Sequence, residues 1–300
     1  MSAPSGKQHV IEAGGYRAVV TQGGGALREL SHQGRPLLHG FAEDAMPDGG
    51  RGQLLMPWPN RIGDGRYQRD GRTHQLALTE PSRGNASHGL VRWVSWSLVA
   101  QRADRVELSY FLPAQTGYPW ALDLTVTYEV GASGLRVTQS ATNLAAAEAP
   151  YASGAHPYLL AGVGPCDRWE LGLPAATRLL TDEQRLLPIG REDVGGTEWD
   201  FRTPHDIGPA VLNHAFTDLE RDGRGVATTT LVGHGGAVAL WVDEHHRWLQ
   251  VYTGDDTGTP RASLAVEPMT APPDAFRSGE DLVVLDPGQS FTASWGIRDL

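Results

Sequence analysis

The 300-residue chain has one cysteine, Cys166, and one lysine, Lys7. A single cysteine excludes an internal disulfide and any multi-cysteine metal site, and it fits a cytoplasmic protein. The lone lysine sits in a polar stretch, Met1 to Gln8, that reads as disordered. Schiff-base chemistry, pyridoxal phosphate anchoring and a P-loop lysine therefore have no residue to use. Basic charge is also short: 25 Lys and Arg against 35 Asp and Glu give a net charge of −10. That balance argues against nucleic acid, whose phosphates require a basic face, and against a polybasic membrane-surface binder. No window approaches the roughly 18 uninterrupted apolar residues of a membrane-spanning helix. The N-terminus lacks the charged start and apolar run of a secretion signal. There is no HExxH, no Cys/His spacing, no acidic calcium loop, no GxSxG elbow and no GxGxxG after a strand. The expectation is a protein with neither metal nor organic cofactor, despite 11 histidines.

What the chain has in quantity is strand pattern. In Ala121–Val130, ALDLTVTYEV, Leu122, Leu124, Val126, Tyr128 and Val130 alternate with Asp123, Thr125, Thr127 and Glu129. That period of two marks a half-buried strand. It recurs in Val106–Leu112 and Leu135–Ala141. Further β-rich runs are Trp93–Val99, Ala237–Val242, Trp248–Thr253, Ser263–Val266 and Phe291–Ile297. Turn residues separate them, as in Gly131-Ala132-Ser133-Gly134 and Asp286-Pro287-Gly288. Helical periodicity is weak; only Thr177–Leu187 suggests a turn or a short helix. With no linker and no fixed repeat, residues 1–300 read as one large antiparallel all-β domain. Long connections at 40–90 and 175–225 are expected to carry function.

Four segments hold candidate chemistry: MPWPNRIGDGRY from Met56, NASHGLVRW from Asn85, AHPYLL from Ala155 and AVEPMTAPPDAF from Ala265. His156 and Glu267 each precede a proline, which restricts the backbone to extended conformations and so limits where the side chain points. With no metal motif, the remaining chemistry is histidine–carboxylate acid–base work.

In this order the segments resemble the aldose 1-epimerase (galactose mutarotase) family. The resemblance is carried by Asn60-Arg61-Ile62, His88-Gly89, His156-Pro157-Tyr158, Asn213-His214-Ala215-Phe216, and Glu267 followed by Pro273-Asp274-Ala275-Phe276. It spans nearly the whole chain and implies a galactose mutarotase-like β-sandwich acting on a small sugar, as a monomer or homodimer. It implies His156 as the acid at the ring oxygen and Glu267 as the base at the anomeric hydroxyl. His88 and Arg61, beside Asn60, would assist at the ring-oxygen side and bind hydroxyls. Trp58 offers a flat wall for a sugar face, and Tyr158 is a further candidate contact. One position departs from the pattern: the family's acidic ligand is here Asn213, with Asp218 as a possible substitute. The resemblance leaves other readings open: a hexose-6-phosphate 1-epimerase, favoured if Arg61, Arg66, Arg69 and Arg72 gather at the cleft, or a non-catalytic sugar-binding module. A glycosidase would need a second facing carboxylate, and Glu267 has none in a motif of its own.

Overall fold

The computed structural model describes residues 3–300. Two large antiparallel sheets dominate it. One has nine strands and includes Arg105–Leu112, Leu122–Gly131, Gly134–Asn143, Ser290–Asp299 and Gly236–Val242 as successive neighbours. The other has eight and includes Ala175–Thr181, Asn213–Leu219, Trp248–Tyr252, Leu264–Met269, Gly154–Ala155 and Leu54–Leu55 in that order. A four-stranded sheet opens the chain with Gln8–Ala13, Tyr16–Thr21, Leu27–His32 and Arg35–Pro36.

The alternation read from Leu122 onward survives in three dimensions. Leu122, Leu124, Val126, Tyr128 and Val130 are buried, while the residues between them are exposed or half-buried. On the neighbouring strand the inward positions are Leu135, Val137, Gln139, Ala141 and Asn143. Gln139 and Asn143 are the polar exceptions, and Gln139 is satisfied on both sides. Its Nε2 donates to the Gly154 carbonyl at 3.1 Å, and its Oε1 accepts from Trp295 Nε1 at 2.9 Å. Gln139 and Trp295 belong to the nine-stranded sheet and Gly154 to the eight-stranded one, so these bonds bridge the two.

The strand Leu264–Met269 is different, because all six of its residues are buried. A strand covered on both faces has no reason to alternate. A carboxyl on such a strand is expensive to ionise, which matters below.

Several expectations need correction. The stretch Thr177–Leu187 holds no helix. Ala175–Thr181 is a strand, and the Asp182 carboxylate closes the following turn by accepting from the Gln184, Arg185 and Leu187 amides. Among the described residues the α-helix is instead the four-residue Ala275–Ser278, which begins directly after Asp274. Residues 3–8 are ordered rather than loose: the Ser5 carbonyl accepts from the Gly23 amide at 2.7 Å, and Gln8 begins the first strand. Met1 and Ser2 lie outside the described residues. The region 40–90 is not one long loop but carries short strands at Leu54–Leu55, Arg61–Gly63, Arg66–Arg69, Arg72–Gln75 and Asn85–Ser87. Among the described residues no helix is long and apolar enough to cross a membrane.

Candidate active site

Glu267 lies on Leu264–Met269 directly opposite Gln250 on Trp248–Tyr252. Asn213, on the next strand, lies opposite Tyr252. A residue diagonal by two positions shares a face, so Asn213, Gln250 and Glu267 form one row across three strands. They line a cleft of about 330 Å³ together with Asn60, Arg61, Glu80, Arg83, His88, Arg92, Trp93 and His156.

His156 comes from the Gly154–Tyr158 segment, where Tyr158–Leu159 pairs with Ala265 and Leu264. Its amide donates to the Gln53 carbonyl and its carbonyl accepts from the Gly52 amide, at 3.1 and 2.9 Å. Tyr158 stacks on its ring, centroids 5.0 Å apart and planes within 10°. The Tyr158 hydroxyl donates to the Gly49 carbonyl at 2.7 Å, and Arg51 covers its other side at 4.5 Å. The imidazole is thus clamped, with its Nε2 3.3 Å from Glu267 Oε1.

His88 completes the cluster, its ring edge-on to His156 at 5.6 Å. It has φ +62°, and Asn60 has φ +52°. Left-handed backbone is uncommon outside glycine and is held here by pairing: the His88 amide donates to the Asn60 carbonyl at 2.8 Å, and Arg61 pairs with Ser87. The following residue must be glycine. A Cβ on Gly89, itself at φ +72°, would lie 2.0 Å from the Met56 carbonyl oxygen.

The Arg61 strand is held to the segment after Glu267. The Asp274 amide donates to the Arg61 carbonyl at 2.7 Å, and Asp274 Oδ1 accepts from the Gly63 amide at 2.9 Å. The Arg61 guanidinium is bidentate to Glu80, at 2.8 and 3.0 Å. Burial works against the Glu80 carboxylate, but hydrogen bonds from Arg61 and its charge prevail and hold the pKa below its ordinary value.

Burial governs the electrostatics of the central pair. Glu267 is pushed up to about 8 by desolvation, which outweighs the opposing charge of Arg61. His156 is pushed down to about 3, first by burial and then by the charge of Arg92. His88 falls well below its ordinary value through burial, with His156, Arg92 and Arg61 adding to the effect. Burial thus works against an ion pair at the close His156–Glu267 contact and favours a neutral imidazole beside a protonated carboxyl. Three buried atoms here lack any hydrogen-bond partner: His88 Nδ1, His156 Nδ1 and Glu267 Oε2. Unpaired buried polar groups are rare and concentrate where a structure has work other than stability to do.

A stability consequence follows. Because the folded-state pKa of Glu267 is raised, the unfolded chain loses this proton first as pH rises. Glu267's contribution to stability is then full below about 4.5 and falls until about 8. Glu267→Gln escapes that loss. The variant is expected to melt higher than wild type, with the gap widening from pH 5 to pH 8 toward roughly 2–5 kcal/mol. Thermal denaturation across that range checks it; a gap independent of pH would contradict the buried, protonated carboxyl.

Of the residues singled out from sequence, Asn60, Arg61, His88, His156, Asn213 and Glu267 line the one cleft. Three others do not. Trp58 is buried against Phe276, centroids 5.6 Å apart, and presents no wall to the cleft. Asp218 is exposed in a separate hollow with Arg247 and Trp248. It lies five positions from Asn213 on the same strand, and an odd separation places it on the opposite face. Tyr158 supports His156 from behind. The arginines Arg66, Arg69 and Arg72 lie on a hairpin outside the cleft. Sequence reasoning missed Glu80, Arg83, Arg92 and Gln250. Two left a trace: Gln250 as the polar residue in the apolar run WLQVY, and Arg92 as a member of the segment NASHGLVRW. Among the described residues no group of three or more His, Cys, Asp or Glu is placed to hold a metal ion.

An antiparallel sandwich with these sheets is of the galactose mutarotase-like class. The chain belongs to the aldose 1-epimerase family, whose model matches residues 7–298. It is 34% identical to the Escherichia coli (strain K12) protein YihR over 286 residues, 95% of this chain and 91% of that one. Among solved structures it resembles the GalM/aldose epimerase homologue of Caenorhabditis elegans, with TM-score 0.86 and 17% identity over 98% of this chain and 99% of the other. It also resembles galactose 1-epimerase from Lactobacillus acidophilus NCFM, with TM-score 0.79 and 20% identity over 95% and 92%.

Proposed function

We propose that the protein is an aldose 1-epimerase that interconverts the α- and β-anomers of a hexose by opening and reclosing the ring. The observation that carries this is the buried His156–Glu267 contact of 3.3 Å at the floor of a polar cleft. The anomeric oxygen and the ring oxygen are bonded to the same carbon and lie side by side. An acid and a base this close together can reach both at once.

The pair holds one proton. A sugar hydroxyl donating to Glu267 favours its carboxylate form, which leaves the proton on His156. Glu267 then takes the proton from the anomeric hydroxyl while His156 protonates the ring oxygen, and the bond from C1 to the ring oxygen breaks. Rotation about C1–C2 turns the other carbonyl face, and the same transfers run backwards to close the ring. The pair ends with the single proton it began with. His88, held neutral, is placed to hydrogen-bond at the ring-oxygen side, with Arg61 beside it. Polarimetry of freshly dissolved α-anomers, with and without protein, tests the reading; no rate above the spontaneous one for any aldose would end it.

Asn213 tunes which sugar is accepted. The Arg61 amide, an obligate donor, occupies Asn60 Oδ1 at 2.9 Å. Asn60 Nδ2 then donates to Gln250 Oε1 at 3.4 Å, and Gln250 Nε2 donates to Asn213 Oδ1 at 2.8 Å. The chain of amides has one direction, and it leaves the Asn213 NH2 as the group offered to the substrate. A carboxylate there would instead accept from a sugar hydroxyl with charge assistance. Asn213→Asp is expected to lower KM for plain glucose or galactose several-fold relative to wild type. An unchanged ranking of sugars would mean that Asn213 makes no contact with substrate.

A further inference from the structure

Arg92 differs from every other arginine that is at least partly buried. Among the described residues, those others each meet a carboxylate or, for Arg221, three backbone carbonyls. Arg92 meets neither. Its only side-chain hydrogen bond is from Nη1 to Gln53 Oε1, at the limiting distance of 3.5 Å. Gln53 is itself buried, and its Nε2 donates to the Arg92 carbonyl at 3.1 Å, so one side chain grips both ends of the arginine. The guanidinium lies 5.8 Å from the Trp93 ring, and both line the active-site cleft. A guanidinium partly withdrawn from water, held in place and given no anion, has donors to spare in a protein of net charge −10. The other cleft arginines are engaged. Glu80 neutralises Arg61 and lies 3.5 Å from Arg83, which also donates to the Glu183 and Gln184 carbonyls.

Position says what those donors meet. Gln53, whose side chain grips Arg92, also accepts from the His156 amide at 3.1 Å through its carbonyl, and Arg92 follows His88 by four residues. Arg92 therefore sits on the histidine side of the cleft. With His156 at the ring oxygen, the adjoining ring carbons are C1, which faces Glu267, and C5. The group beside Arg92 is then the exocyclic carbon on C5.

We propose that the substrate is a hexose whose C6 carries an oxyanion (a carboxylate, phosphate or sulfonate) and that Arg92 is its counter-ion. The inference rests on the epimerase reading and narrows it. The planar guanidinium offers paired donors that match two oxygens of such a group.

The test compares glucose with its C6-carboxylate, C6-phosphate and C6-sulfonate counterparts, following anomer exchange by NMR at low salt. At least one charged sugar is expected to exceed glucose in kcat/KM by about 10–100-fold, and the arms of the panel identify which oxyanion. In Arg92→Gln that ratio collapses toward one, and Arg92→Lys keeps part of it. Arg136→Gln, a surface change outside the cleft, leaves the ratio intact. Should Arg92→Gln misfold, salt supplies a second readout in wild type: KM for the charged sugar rises with ionic strength and KM for glucose does not. Glucose turned over as well as every charged sugar, or a preference that persists in Arg92→Gln, overturns the inference while leaving the epimerase intact. No acceleration for any sugar overturns the epimerase itself.

Discussion

Glu267→Gln is expected to lower kcat by about 10²–10⁴-fold while changing KM little. Glutamine fills the same volume on a fully buried strand, so the sheet is undisturbed. It cannot take a proton from the anomeric hydroxyl. His156→Asn is expected to fall as far, by removing the acid. The two losses should not add, because each side chain acts through the proton it shares with the other. The double variant is expected to match the worse single one. Anomer exchange measured by NMR, together with a binding measurement on each variant, separates lost chemistry from lost affinity. A Glu267→Gln enzyme with wild-type turnover would remove Glu267 from the reaction.

The second large effect is on pH. A pair that must hold one proton fails when it holds two or none. Below the acid limit His156 gains a second proton for the pair and no base remains. Above the alkaline limit Glu267 has lost its proton and no acid remains. With limits near 3 and 8, kcat/KM should stay flat across the acidic range and fall tenfold per pH unit on the alkaline side. The limits belong to the pair rather than to either residue. Ordinary values for an independent histidine and glutamate would instead confine the maximum to roughly pH 4–6.5. Subtracting the spontaneous rate at each pH gives the measurement. A profile centred in that narrow window would mean that the two groups titrate separately.

How much of this could be read from sequence depends on what solvates each strand. Leu122–Gly131 has one wet face, so its alternation was plain. Leu264–Met269 has none, and its apolar run marked a strand without marking its neighbours. The two- and three-residue strands between Leu54 and Ser87 are too short to show any period. Thr177–Leu187 spaces its leucines as a helix would, yet Asp182 captures three amides and turns the chain instead. The site was legible where a motif fixed local backbone, as at His88-Gly89, His156-Pro157 and Glu267-Pro268. It was opaque where a partner arrives from a distant strand. Nothing near Arg61 announces Glu80, and nothing near Glu267 announces Gln250. Trp58 lies two residues from Asn60, yet it points into the core behind the cleft.

The register of Asn213, Gln250 and Glu267 also limits how this protein can change length. Side chains alternate between faces along a strand, so one residue inserted or deleted inverts everything beyond it. A deletion between Asn213 and Leu219, or within Trp248–Tyr252, would turn a cleft residue toward the opposite face without changing its identity. The hairpin Arg66–Gln75, outside the cleft, carries no such restriction. Among descendants of this sequence, gaps should collect there and avoid the three site strands, even where single substitutions in those strands are tolerated.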